Sequence, residues 1–355
     1  MKNSICLLSA LLFNLFIHNG FAETTYRVTS LGYMSDFHKA YAYSINNQNE
    51  ITGFDCDEAG LPRAFKYSNG LMMDIGAPSG TNSRGLTINN SGTIGGVVWS
   101  SSFHFESAYI YENGNINTIG DLSDHENVGI YAINDNGVVV GSRRVIDGRD
   151  NAFMYKDGSY INITDNGGYA RDINNYGQVV GKCDNKPFLF ENGTFEFLPI
   201  PAGVVGRVEA LGINDQGQVL MESWEYPGSR TYQSFIYDLL DETFIEISSP
   251  DFTYNSTRCN EINEHGTALG YYVTDSYQKL PYIYENGSIN LVQDLLDADS
   301  TDWSLGILCS INDSGYMVGY GFLDNEQHAI LLSPVPEPAT LLLIGIGAVM
   351  MRRRK

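Results

Sequence analysis

The chain has 355 residues, and its 42 Asp and Glu against 21 Lys and Arg give a formal net charge of −21. That balance excludes nucleic acid as a natural partner, because phosphate binding needs a basic footprint, whereas an acidic surface fits a soluble exported protein. A chain this long would ordinarily hold two domains, but an internal repeat overrides that expectation, since each repeat buries its faces only against its neighbours.

Residues 1–22 carry Lys2, an apolar run from Ile5 to Ile17, and the small residues Gly20 and Ala22 before Glu23. The pattern reads as a secretory signal peptide cut between Ala22 and Glu23, too short for a membrane span.

Residues 24–333 repeat one four-part unit seven times, at intervals of about 40 to 49 residues. The most regular stretch is Ile133-Asn134-Asp135-Asn136-Gly137, followed by Val138-Val139-Val140-Gly141. Its asparagine recurs as Asn46, Asn89, Asn134, Asn174, Asn214, Asn263 and Asn312. An Asn three residues before a Gly caps a four-residue turn with its side chain, and the last turn position takes positive φ. Glycine fills that position in every copy but the first, where Asn49 stands, the residue that best tolerates left-handed geometry after glycine. Four residues on, a second glycine lies inside a β-rich run in every copy except the fifth, where Met221 stands. A strand glycine of this kind marks a backbone passing close by.

We label the parts A to D. A is a short strand such as Asn115-Ile116-Asn117-Thr118-Ile119; B runs into the Ile-Asn turn and C leaves it; D carries aromatics, as in Ala64-Phe65-Lys66-Tyr67. Most D parts join the next A through Asn-Gly or Asp-Gly, as at Asn69-Gly70 and Asp157-Gly158, which supply the positive φ of a tight primed turn. The first A, from Tyr26 to Leu31, has no preceding D, and the last D, from His328 to Leu332, has no following A. Pairing these two orphans closes a ring and removes two exposed edges. The expected fold is therefore all-β, a seven-bladed β-propeller of four-stranded blades closed by the N-terminal strand; an open solenoid would want polar caps that are not seen. Aromatics at i and i+2 of part D share one face of a strand whose other face is also apolar, so these rings are expected in the core between blades.

The chain ends in a Pro-rich segment, residues 334–338, then a short hydrophobic helix expected over residues 339–351 and a basic tail, residues 352–355. Thirteen apolar residues are short for a span, which needs about 20, and the basic cluster would stay in the cytoplasm.

Chemistry-bearing residues are sparse. His38, His104, His125, His265 and His328 are spread over different repeats, and no nucleophile elbow occurs, so no catalytic residues are assigned. Asp55, Asp57 and Glu58 ahead of Gly60 are candidate calcium ligands, as are Asp294, Asp297, Asp299 and Asp302, though neither set has the full spacing of a calcium loop. No other cofactor is expected. Cys56, Cys183, Cys259 and Cys309 permit three disulfide pairings or none, since a core of this size needs no staples.

Two resemblances follow. Arg63-Ala64-Phe65 and Asn151-Ala152-Phe153, with the run from Ile173 to Gly181, resemble the extracellular HAF repeat family; the histidine of its triplet survives only at His328, so it is not a required ligand. Pro336-Glu337-Pro338, the apolar run and the cluster Arg352, Arg353, Arg354 resemble a PEP-CTERM sorting signal. This implies transient anchoring in the inner membrane of a Gram-negative bacterium, processing by an exosortase, and delivery to the envelope, outer surface or extracellular matrix; the competing reading of the segment is a permanent C-terminal anchor. Pro336, Glu337 and Pro338 would be substrate residues only. The expected function is a non-enzymatic binding or structural module, monomeric, with an extracellular polysaccharide or surface protein as partner, met by the loops between C and D and between A and B. The alternative is a propeller hydrolase or lyase acting on extracellular polysaccharide.

Overall fold

Each Ile-Asn turn reverses a strand that lines the molecular axis. The computed structural model describes residues 24–35, 39–76, 81–100, 106–120, 127–145, 148–224, 232–248, 257–274 and 278–336. The expected leader with its Ala22 and Glu23 cut, the helix over 339–351, and Glu337, Pro338, Arg352, Arg353 and Arg354 lie outside these residues.

The described strands form seven four-stranded antiparallel sheets, the blades of a propeller. In blade one the order is Ala40–Ile45, Ile51–Cys56, Pro62–Ser68 and Leu71–Asp74, which are parts B, C, D and the next A. Part B is innermost: the strands ending at Ile45, Ile88, Ile133, Ile173, Ile213, Ile262 and Ile311 come together around one central opening. Antiparallel order then puts the Asn turns and the D–A hairpins on one face, the turn face, and the C–D and A–B connections on the other, the loop face.

The turn chemistry is as expected. Asn49 has φ 60°, and the D–A hairpin at Asn69-Gly70 has φ 54° and 81°. In all blades a β-bulge interrupts the pairing of B with C, as between Ala42 and Ser44. The strand glycine sits just beside it: a Cβ on Gly141 would collide with the carbonyl oxygen of Gly129, where the bulged strand presses inward. In blade five Met221 occupies this place opposite Ala210, fully buried, and the bulge persists; nothing in the structure explains that exchange.

The seventh blade closes as expected, in the order Thr25–Ser30, Glu326–Val335, Met317–Leu323, Ser304–Ile311. Thr25 lies opposite Val335 and Ser30 opposite Ile330. A second contact holds the first strand from its open side. Asp297 N donates to Tyr26 O (2.8 Å), Val28 N donates to Ser300 Oγ (2.9 Å), and the Arg27 guanidinium reaches Asp297 and Asp299 at 2.8 Å each.

The leading aromatic of part D is core in each blade that has one: Phe65, Tyr109, Phe153, Phe188 and Tyr282 are fully buried and Phe235 nearly so. The expectation that the second aromatic is equally buried holds for Tyr237 and Tyr284 and needs correction for Tyr67, Tyr111, Tyr155 and Phe190, which are half-buried. These rings stand beside the D–A hairpin at the blade's end, where water reaches one edge.

Candidate functional site

The turn-face mouth of the channel is built from the repeated asparagines. Asn134 Oδ1 accepts from Asn136 N (3.1 Å) and Val138 N (3.0 Å), which caps the turn. Its amide nitrogen does something the sequence did not suggest: it donates to the carbonyl of Asn174 in the next blade. The same bond runs from Asn46 to Asn89, Asn89 to Asn134, Asn174 to Asn214, Asn214 to Asn263, Asn263 to Asn312 and Asn312 back to Asn46, at 2.9 to 3.2 Å. All seven asparagines are buried. A second closed ring lies one residue on, where a backbone N–H donates to the side-chain oxygen of the next blade at 2.7 to 3.0 Å. Its acceptors are Asn90, Asp135, Asn175, Asp215, Glu264, Asp313 and Asn47.

These rings surround a cavity of about 350 Å³, into which Asp172 and Glu261 also face. Burial pushes the Asp172 carboxyl up to about 6 and the Glu261 carboxyl up to about 8, against the pull of the amides each accepts from. Asp172 Oδ2 accepts from Ile213 N (2.8 Å), and Glu261 Oε2 accepts from Ile311 N (3.1 Å). Ser44 and Ser310 occupy the same repeat position and accept from Ile88 N and Ile45 N. The two acids therefore do what two serines do elsewhere, joining blade to blade.

The loop face holds a different cavity, of about 410 Å³, between blades one and two. Tyr41, Tyr43, Phe54, Arg84 and Trp99 line it, with Lys39 at the exposed rim. The Arg84 guanidinium lies 4.9 Å from the centroids of both Phe54 and Trp99, and Tyr41 stacks on Phe54 at 4.8 Å. Arg84 Nε and Trp99 Nε1 are buried donors with no hydrogen-bond partner, a condition that costs about 1–3 kcal/mol per group. Two cation clusters on this face are paired with carboxylates. Arg258 donates to both oxygens of Glu222 (2.9 and 3.0 Å), while Arg171 and Lys182 share Glu209.

The sequence candidates fall apart in space. Asp55 is buried, with Oδ2 accepting from Met34 N (2.5 Å), whereas Asp57 Oδ1 accepts from Ala59 N and Leu61 N and Glu58 is exposed. Asp297 and Asp299 of the other acidic loop take Arg27 instead. Among the described residues no group of three or more His, Cys, Asp or Glu is placed to hold a metal. His328 Nδ1 lies 3.0 Å from Ser30 Oγ and 2.8 Å from Tyr33 Oη, beside the closing strand, and His265 is exposed in its turn. His38, His104 and His125 lie outside the described residues. Cys56, Cys183, Cys259 and Cys309 are free thiols. Of the sorting residues, Pro336 is described, exposed just past the last strand. Among the described residues no helix is long and apolar enough to cross a membrane. The sequence reading missed the cleft residues Tyr41, Phe54, Arg84 and Trp99; the available signal was a difference between repeats, since Phe54 stands where blade five has Glu222.

Residues 334–355 match the PEP-CTERM protein-sorting motif, which implies export and cell-surface sorting by an exosortase. No curated protein matches the chain. Among solved structures the chain is similar to YCF48 bound to D1 peptide, with a TM-score of 0.54 and 12% identity over 90% of this chain and 98% of that one. It is also similar to TolB from Acinetobacter baumannii, at a TM-score of 0.43 and 11% identity over 69% of this chain. It spans 64% of the length of that protein. A third is the SapL1 lectin in complex with alpha methyl fucoside, at 0.41 and 11% over 72% and 96% of the two chains. At such identity the first likeness is one of fold alone.

Proposed function

We propose that this chain is a non-enzymatic binding module of the cell surface or extracellular matrix, acting as a monomer after exosortase processing and transient inner-membrane anchoring. The host is a Gram-negative bacterium, and the partner is an extracellular polysaccharide or a surface protein. The repeats also fit the extracellular HAF pattern. One observation carries the reading: the polar groups of the turn-face rings are spent on blade-to-blade hydrogen bonds, while the loop-face cleft keeps buried donors without partners. A site built to hold rather than to react keeps such donors for a ligand's acceptors.

The alternative, a polysaccharide hydrolase or lyase, would draw on Asp172 and Glu261, whose raised values suit an acid. Their oxygens are already engaged by neighbouring backbone amides. Incubating the protein with the host's own polysaccharide separates the two readings. The expected outcome is retention on the immobilised polymer with no new reducing ends and no unsaturated products. Release of cleaved sugar that disappears in Glu261→Gln would replace the binding module with an enzyme.

A further inference from the structure

We infer that the cleft between blades one and two binds a carboxylate-bearing sugar residue, which completes an ion pair the fold has left open at Arg84. The inference rests on the binding-module reading and names the ligand class of its site.

The repeats themselves supply the comparison. Arg84 and Arg258 hold the same place in blades two and six, each one residue before the residue paired with the strand glycine, Gly96 or Gly270. Arg258 is neutralised by Glu222, which follows the glycine position of the preceding blade. The residue at that place beside Arg84 is Phe54, which follows Gly53. Exchange of a carboxylate for a phenyl ring leaves the guanidinium stacked between Phe54 and Trp99, and no carboxylate among the described residues pairs with it. Stacking satisfies the faces of the cation but none of its in-plane donors. Those donors need an acceptor in the plane, and a carboxylate meets an arginine fork with two charge-assisted hydrogen bonds.

The surroundings specify the rest of the ligand. Trp99 is 4% exposed, and its unpartnered Nε1 calls for one further acceptor, which a ring hydroxyl supplies. Tyr41 and Tyr43, half-buried in the wall of the cleft, give a pyranose an aromatic surface to pack against. Lys39 at the rim adds a second positive charge to this spot on a strongly acidic chain. A cavity of about 410 Å³ falls in the small-ligand range of about 300–1,000 Å³, so it takes a ring at a time rather than a folded partner.

Titration of the full-length protein with oligogalacturonate, neutral dextran and a Glu-rich peptide tests this. Oligogalacturonate is expected to bind, more weakly as salt rises, and both Arg84→Gln and Phe54→Glu are expected to weaken it at least tenfold. The second variant rebuilds the Glu222–Arg258 arrangement and supplies the missing carboxylate from within. Lys39→Gln, an exposed change, should weaken binding about threefold with the thermal midpoint unchanged. Undiminished binding in Arg84→Gln and Phe54→Glu would overturn the site. Dextran bound as tightly, and lost equally in the variants, would overturn the acidic class while leaving a sugar-binding module. Equal binding of the peptide would overturn the sugar. No binding of any saccharide, the host's polymer included, would overturn both this inference and the polysaccharide reading it rests on.

Discussion

Glu261 shows how one residue is set by its neighbours. Its carboxyl is pushed up to about 8 from 4.5, first by burial and then by the charges of Asp172 and Asp313, while Ser310 and the Ile311 amide pull the other way. Because the folded state keeps a proton that the unfolded chain releases, stability falls as pH rises from about 4.5 toward 8 and levels off above that. Asp172 adds a smaller effect of the same sign between 3.8 and about 6. Glu261→Gln keeps an acceptor for Ile311 N and has no charge to release. The variant's thermal midpoint should therefore exceed the wild type's at pH 9, with the gap closing at pH 5; a gap that stays constant would contradict the cause given.

At the scale of the element, the bulged B–C pair recurs in all seven blades, as faithfully as the Ile-Asn pair of the turn. Gly141→Ala should destabilise by about 3 kcal/mol in urea unfolding, the upper part of the overpacking range, since the new methyl meets the Gly129 carbonyl. A neutral result would mean that blade three tolerates a side chain at this place, as blade five holds Met221. The turns, the D–A hairpins and the bulge-side glycines were legible in the sequence because each is a local rule written many times over, whereas which strand lies innermost was not. The asparagine rings were not: the turn explains the Oδ1 acceptor completely, and nothing local says that the amide nitrogen has a partner about 40 residues away. The cleft was hidden for the opposite reason. It arises where the repeats differ, at Phe54 against Glu222, and periodicity draws the eye to what they share.

For the whole molecule, closure converts seven weak units into one. The orphan strand at each end predicted it, and Thr25–Ser30 does pair with Glu326–Val335. Tyr26 is 5% and Val28 8% exposed, so deleting residues 24–30 should cost about 4–5 kcal/mol from their burial and sharply raise protease sensitivity. Removing residues 337–355 leaves every paired residue of the last strand in place and serves as the comparison. A truncation at the amino end that behaved like the one at the carboxyl end would mean that the circle is held by the two rings alone.

Thr25 and Val335 sit side by side at the end of the seventh blade that carries the asparagine turns. The proposed anchoring through the carboxyl segment would hold the propeller by that end, with the amide rings toward the bilayer and the cleft around Arg84 on the far face.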